Sequence, residues 1–211
     1  MPILPLLFVA FTTVASAQMD TGIKLILLSP AERQVFQRDT RSDGKIVVET
    51  VLEMTTRGAL TNLDRLEARV IGPSTNDNNA TAWQTLPFDN RVRHFRAELR
   101  APAGGWCRVQ VRLLAGGKSV SEANVEHVGV GEVFVIAGQS NSANHGEEKQ
   151  SAKNPFVVAF GNGHWQVAAD PEPGASGNGG SFMPAFGDAM AGKFKVPIGI
   201  ASCRERVLRL V

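Results

Sequence analysis

A serine between two amide residues follows a buried apolar strand near the middle of the chain. The run "GEVFVIAGQSNSANHGEE" covers residues 131–148, and its apolar half ends at Gly138, Gln139, Ser140 and Asn141. Ligands of an open parallel sheet bind beyond the carboxyl ends of its strands, so this position suits a serine nucleophile. Gly138 would let the backbone turn sharply, and a helix after the turn would offer free N–H groups to an oxyanion. The side chains of Gln139 and Asn141 would orient the turn by hydrogen bonds.

A simpler interpretation of the same residues stays open. Serine and asparagine are common at the N-cap of a helix, where the side chain accepts a hydrogen bond from a backbone N–H. Ser140 or Asn141 would then only begin the following helix. Position alone favours this cap, and the four-residue motif by itself does not decide between the two.

A nucleophilic serine also needs a base, and the chain has four histidines. His145 lies five residues after the serine, and on a helix that offset points it away, since only residues three and four apart are neighbours. His164 in "GNGHW" is expected in a loop, with Trp165 beside it packing or stacking on a sugar. His94 and His127 fall on strands. We expect an ordinary structural role for all four, because a base must reach the serine geometrically.

The first half of the chain predicts the elements of a β-sandwich. From about Gly22 to Val128, alternating segments such as "KIVVETVL" and "WCRVQVRLL" are separated by polar, glycine or proline turns. Alternation gives each strand one buried face, which two antiparallel sheets packed face to face accommodate. We expect residues 18–128 to form a sandwich of the immunoglobulin or fibronectin type, with Cys107 as a small apolar core residue.

The second half, residues 129–211, follows a different pattern. Its strands "EVFVIAG", "FVVAFG" and "VPIGIAS" are almost entirely apolar, and "SFMPAFGDAMAGKF" is helix-like. Strands buried on both faces that alternate with helices indicate an α/β parallel sheet, here incomplete because only three strands are found. The loop "DPEPGASGNGG" of residues 170–180 has the glycine and proline content of loops that often line active sites beside such sheets.

Charge and the N-terminal residues limit the partners of the protein. The net charge of +2 is small and the basic residues are scattered, which argues against a nucleic-acid partner. Residues 1–17 form an apolar run that closes in Ala-Ser-Ala, which predicts a signal peptide cleaved after Ala17 and a secreted or periplasmic protein. A short membrane anchor or a buried strand is the alternative for this run, but a spanning helix needs about 20 apolar residues and Thr and Ser interrupt the run too early. No other stretch approaches the length of a membrane span. Two cysteines are too few for a disulfide framework or a cysteine-based zinc site.

Longer runs of the chain carry a family resemblance. The segments "VGVGEVFVIAGQSNSANHGEE" and "DPEPGASGNGGSFMPAFGDAMAGKFKVPIGIASC" resemble, in this order, the sialate O-acetylesterase-type carbohydrate esterases of the SGNH hydrolase superfamily. The preceding sandwich resembles the β-domain that accompanies these esterases. The resemblance implies that Ser140 attacks the carbonyl of an O-acetyl ester on a sugar and that its backbone N–H forms part of the oxyanion hole. It implies no metal and no organic cofactor.

The last residues depart from the family pattern. After "VPIGIASC" the family continues into a Gly-rich turn, an Asn donor and a distal Asp-x-x-His, whereas this chain reads "RERVLRLV". The family's base, its acidic partner and two oxyanion groups therefore have no counterpart. We expect a pattern cut short after the third strand of the second domain, by a frameshift or a truncated gene model, and an inactive fragment. The alternative is a non-catalytic exported carbohydrate-binding or adhesion module that works through its sandwich.

Overall fold

The computed structural model describes residues 22–54, 63–72, 80–89 and 91–202. Strands take up 55% of these residues and helices 9%, which confirms a mainly β protein. The predicted signal peptide and Cys203 lie outside the described residues. Within the described ranges, no helix is both long and apolar enough to cross a membrane.

The described residues of the first half contain eight strands. They are β1 Ile23–Ser29, β2 Val35–Gln37, β3 Asp43–Met54, β4 Leu63–Ile71, β5 Gln84–Leu86, β6 His94–Pro102, β7 Cys107–Ala115 and β8 Lys118–Ile136. A three-stranded antiparallel sheet has the order β1-β3-β6, and a second antiparallel set has the order β5-β4-β7-β8, with the short β2 pairing in parallel with β8.

Alternation along the strands gives these two sheets a common core. In β7, Cys107, Val109 and Val111 are buried, whereas the residues between them are half-buried. Their apolar side chains join one cluster with residues of the opposite sheet, such as Ile46 and Leu99, both fully buried. Two sheets therefore pack face to face on one core, as the alternation of polar and apolar residues predicts.

A single long strand, β8, connects the two halves. It pairs with β7 up to Val128, with β2 over residues 129–131, and in parallel with the last strand over residues 132–136. The domain boundary predicted at residues 128 and 129 thus falls inside a continuous strand, and the boundary stays a prediction. Gly131 lets β8 lie directly against the backbone at Pro197, because a Cβ at position 131 would lie 1.9 Å from the carbonyl oxygen of Pro197.

The described residues of the second half add three strands and one α-helix. They are β9 Val157–Gly161, β10 His164–Val167, α1 Met183–Phe194 and β11 Ile198–Ser202, and the sheet continues as β10-β9-β11-β8. Strands β9, β11 and β8 run parallel, whereas β10 is antiparallel to β9. Helix α1 shares a second core cluster with β9 and β11, which includes Val157, Met183 and Ile200.

This mixed sheet agrees with the predicted parallel strands but does not confirm an SGNH-type domain. In the flavodoxin-like order the first strand lies between the second and the third. Here β11, the last of the three parallel strands along the chain, lies between β8 and β9. The coarser prediction, a parallel set with a helix packed on it, is what the described residues contain.

The prediction that His164 lies in a loop is wrong. Asn162 and Gly163 have φ values of 54° and 84°, which is the signature of a tight two-residue hairpin turn, and His164 is the first residue of β10. Trp165 beside it is buried and packs at 5.2 Å from the ring of Phe160. This tryptophan is therefore a packing residue and presents no open face to a sugar.

Candidate active site

The chain emerges from β8 into the turn that carries Ser140. This serine is exposed and has a φ of 56°, a left-handed conformation that few residues other than glycine adopt. A single 3-10 turn, Ser140–Ser142, begins at this serine. The α-helix expected after the serine is therefore absent from this part of the described chain. The sharp bend therefore occurs at the serine itself, while Gly138 has an ordinary φ and is needed for another reason. A Cβ on Gly138 would lie 2.4 Å from the hydroxyl oxygen of Ser142.

Backbone groups and Ser142 hold this turn in place. The Ser142 hydroxyl donates to the carbonyl oxygen of Gln139 at 2.9 Å, and the N–H groups of Ala143 and His145 both donate to the carbonyl oxygen of Ser140. The amide side chains of Gln139 and Asn141 make no hydrogen bond to the described residues, so they do not orient the turn as predicted.

Two backbone N–H donors at the turn have no hydrogen-bond acceptor among the described residues. Within the described part of the chain, the N–H groups of Ser140 and Asn141 have no acceptor, and neither does the Ser140 hydroxyl. Adjacent free N–H groups beside a serine hydroxyl are the donors that an oxyanion needs. The turn supplies them although no helix follows.

Ser140 and His145 line the same open cavity of about 460 Å³. The rest of its wall comes from Gly138, Gln139, Ala143 and Ser176. The expectation that His145 points away assumed a helix, and it fails because the chain turns back after residue 142. The Nε2 atom of His145 lies 3.3 Å from the hydroxyl oxygen of Ser176, so within the described residues the imidazole pairs with Ser176 and not with Ser140.

Close backbone contact with a glycine-rich loop gives the His145 segment its position. Gly177 and Gly179 donate to the carbonyl oxygens of Ala143 and Asn144, and Gly146 and Gly180 exchange both of their backbone hydrogen bonds. A Cβ would lie 2.2 Å from a backbone oxygen at Gly177, 2.3 Å at Gly179 and 1.6 Å at Gly180. The composition of "SGNGG" thus follows from the approach of the two loops.

Asp170 fixes the other end of this loop. Its carboxylate accepts hydrogen bonds from the N–H of Gln150, the N–H of Ser181 and the hydroxyl of Ser181, the last at 2.6 Å. The Ser181 hydroxyl oxygen in turn accepts from the N–H of Met183 at 3.2 Å, where α1 begins. One carboxylate therefore ties together the segment after the serine turn, the glycine-rich loop and the helix.

Glu172 is an unusual buried acid in the loop of residues 170–180. Its side chain is buried, and neither carboxyl oxygen has a hydrogen-bond partner in the described ranges. The side chain of Asn144 fixes its backbone, because it accepts from the Glu172 N–H at 3.1 Å and donates to its carbonyl oxygen at 2.8 Å. Burial, with a smaller contribution from the charge of Asp170, raises the pKa of Glu172 to about 8.

The other chemically versatile residues lie elsewhere. His94 and His127 bond to Glu49 and Glu32 on the sandwich, each at 2.6 Å. Cys107 is buried and donates to a carbonyl oxygen of β8, and burial raises its pKa to about 12, so it acts as an unreactive core residue. Among residues 22–202 that are described, no group of three His, Cys, Asp or Glu is arranged to hold a metal ion.

Sequence reasoning missed the residues that assemble the site from a distance. Ser176, Asn144 and Glu172 were not candidates, because each acts through contacts between loops about thirty residues apart. The available signal was the pair of polar, glycine-containing runs around residues 141–148 and 174–181 on either side of a strand hairpin. Such runs indicate loops, but they do not specify which loops meet.

Comparisons with known proteins give little further information. No family model and no curated protein matches the chain. Part of it resembles a crystal structure of a glycosyl hydrolase family 2 member from Bacteroides cellulosilyticus DSM 14838, with 14% identity, a TM-score of 0.25 and coverage of 59% of this chain and 19% of that chain. A second structure of such a member from Bacteroides cellulosilyticus has 16% identity and a TM-score of 0.26, with coverage of 59% of this chain and 18% of that chain. The match thus spans less than a fifth of each of these two matched proteins, and it assigns neither a fold nor a function to this chain.

Proposed function

We propose that this chain is a serine esterase that hydrolyses O-acetyl groups on sugars, with Ser140 as its nucleophile. The observation that carries the proposal is the exposed Ser140 at a φ of 56°, directly beyond a parallel strand and on the wall of an open cavity. A left-handed conformation costs a residue other than glycine about 1–3 kcal/mol, and such strain concentrates at functional sites. In a nucleophile elbow the serine likewise lies on a sharp, strained turn after a strand, although there a helix follows directly.

The bond changes follow from acyl transfer. A base takes the proton of the Ser140 hydroxyl while the Ser140 oxygen attacks the acetyl carbonyl carbon, and the resulting oxyanion accepts hydrogen bonds from the free N–H groups of Ser140 and Asn141. The carbon–oxygen bond to the sugar then breaks, and the sugar oxygen takes that proton from the base, so the sugar leaves as an alcohol. Water attacks the acetyl-Ser140 ester, which releases acetate and restores the serine.

Proton transfer needs a base, and no described residue forms a hydrogen bond with the Ser140 hydroxyl. His145 is the imidazole on the wall of the Ser140 cavity, but its Nε2 atom pairs with Ser176. Hydrogen bonds of catalytic groups often tighten only when substrate is bound, so this arrangement leaves His145 available as a base in the complex. We expect slow turnover, because the His145 imidazole pairs with Ser176 and has no hydrogen bond to the Ser140 hydroxyl in the described residues.

Two further parts of the proposal extend the family resemblance. The order β1-β3-β6 opposite β5-β4-β7-β8 supports an immunoglobulin or fibronectin type of sandwich, which would serve as an accessory domain. The second half would be an SGNH-type domain whose serine turn works as described above. Export through the predicted signal peptide would bring the enzyme to extracellular or periplasmic sugars.

Covalent labelling tests the nucleophile directly. The chain is incubated with 4-nitrophenyl acetate, quenched in acid, digested and analysed by mass spectrometry, and we expect an added acetyl group on the peptide that contains Ser140. Ser140→Ala should lose this label, whereas Ser151→Ala, which changes an exposed serine outside the Ser140 cavity, should keep it. Equal labelling of the wild type and Ser140→Ala would refute the proposal and favour a non-catalytic binding module.

A further inference from the structure

A second cavity of about 600 Å³ lies next to the one that contains Ser140. His145 belongs to the walls of both, so the two cavities meet at the imidazole. The larger cavity is lined by Asn141, residues 145–148 and Gln150 on one side and by residues 180–182 and Ala185, around the start of α1, on the other. Its volume is within the range of sites for small ligands.

The side chains on this wall are free to bind a ligand. Glu147 and Glu148 are exposed, and neither carboxylate has a hydrogen bond or ion pair within the described residues. The amide of Gln150 is likewise unpaired in those ranges. Phe182 has 41% of its surface exposed, while its ring packs edge to face on Phe186 at 6.0 Å between centroids.

The acidic residues among the described lining of the two cavities are Glu147 and Glu148, and no described lysine or arginine belongs to either wall. Lys149, between the glutamate pair and Gln150 in sequence, is exposed and is not part of the lining. Within the described part of the chain, a ligand in the larger cavity therefore meets two carboxylates and no lining cation.

We infer that the larger cavity holds the sugar of the acetyl ester and that this sugar lacks acidic groups. The inference rests on the proposed esterase function, because it is the Ser140 cavity that would hold the acetyl group. Sugar hydroxyls donate hydrogen bonds to carboxylate oxygens, and the C–H groups of a sugar ring pack on the negative face of an aromatic ring. Glu147, Glu148 and Gln150 supply the acceptors, and Phe182 supplies the ring.

Acidic sugars are selected against by the same residues. A carboxylate on the sugar would face two carboxylates of the protein, and like charges a few ångströms apart repel even in a solvated site. The repulsion is reduced by salt, because the glutamates are exposed. The expected substrate class is therefore neutral sugars, in contrast to the negatively charged sialate that gives the resembled family its name.

Binding to Ser140→Ala tests this inference without turnover. Three probes are titrated and followed by NMR shifts of the backbone amides of residues 146–150, 180–183 and 185: methyl 6-O-acetyl-glucoside, the methyl glycoside of 9-O-acetyl-N-acetylneuraminic acid, and the carboxamide of that acid. The carboxamide has the shape of the acid but no charge. We expect the acid to bind at least about fivefold more weakly than the carboxamide at low salt, with a smaller ratio at high salt.

Variants assign the selectivity to the named side chains. Replacing Glu147 and Glu148 by Gln together should bring the ratio between acid and carboxamide close to one, whereas Glu53→Gln, an exposed change on β3, should leave it unchanged. Phe182→Leu keeps an apolar side chain but removes the aromatic face, and it should weaken binding of the glucoside severalfold.

The outcomes separate this inference from the esterase proposal. An acid that binds as tightly as its carboxamide, a ratio unaffected by the double Gln variant, or no binding of any probe would overturn the inference. Selective binding in these amides without acetylation of Ser140 by 4-nitrophenyl acetate would refute the esterase proposal and support the sugar site. Acetylation of Ser140 without charge selectivity would do the reverse.

Discussion

Glu172 should make the stability of the protein depend on pH in a way that one substitution removes. Its pKa lies at about 8 in the folded chain against an ordinary value of 4.5. Between these values the unfolded chain has lost the proton and the folded chain keeps it, so the free energy of unfolding falls as pH rises. Each pKa unit corresponds to about 1.4 kcal/mol, which amounts to about 3 kcal/mol at pH 7.

Glu172→Gln has nearly the shape of the protonated acid and cannot ionise. We expect it to match the wild type near pH 4 and to exceed the wild-type free energy of unfolding by about 3 kcal/mol at pH 7, with the difference levelling off above about pH 8. That gain is large for a domain whose total stability is about 5–15 kcal/mol. The direction follows because a raised acid pKa means that the neutral form is favoured by folding.

Urea denaturation of both proteins at a series of pH values measures the effect. Subtracting the two curves cancels every other titrating group, and Glu53→Gln, exposed on β3, serves as the control that should show no pH-dependent difference. A difference that stays constant from pH 4 to pH 8, or a Gln variant that is less stable at pH 7, would refute the reasoning. Either result would mean that the carboxyl finds a partner or water in the folded protein.

Three other predictions concern the loops, the sandwich and the chemistry. Gly180→Ala should destabilise the cavity loops, because its Cβ would lie 1.6 Å from a facing carbonyl oxygen. A Cβ on Gly192 in α1 meets nothing within 4 Å, so Gly192→Ala should stabilise the fold by about 1 kcal/mol, and thermal melts measure both changes. Residues 22–131 alone should melt cooperatively by circular dichroism, since Val130 belongs to the sandwich core, and a transition without cooperativity would contradict this. Hydrolysis of 4-nitrophenyl acetate, followed by absorbance, should exceed the uncatalysed rate by no more than about 10³–10⁴, the level left when a base is not engaged. A much faster rate that both Ser140→Ala and His145→Ala abolish would instead identify His145 as the base.

Local patterns predicted the elements of this fold well. The alternating segments of the first half are strands β1 to β4 and β6 to β8, and the helix-like run is α1. The hairpin with β10 was not predicted, although Asn162-Gly163 is a pair typical of tight hairpin turns, because the strand after it has only four residues. The continuity of β8 was harder to see, since alternating and uniformly apolar halves of one strand look like two strands.

The candidate site was predictable only in its first member. Ser140 follows from a strand end, which is a local property, but its left-handed backbone is not encoded by any neighbouring glycine. The helix expected after it is replaced by one 3-10 turn, because the next residues bond to the glycine-rich loop instead of to one another. Burial of Glu172 depends on the same contact between loops, so no local pattern could reveal its shifted pKa.

Glycines at the contact between the loops decide which side chains share the cavity. Gly177, Gly179 and Gly180 let one backbone lie directly against residues 143–148, and a side chain at any of these positions would separate the two loops. That contact turns the chain back after the serine turn, and His145 consequently lines the cavity of Ser140 although a helical offset would separate them. The position of the imidazole therefore depends on residues more than thirty positions away, and changes in the glycine-rich loop should alter the chemistry of Ser140 without touching the serine.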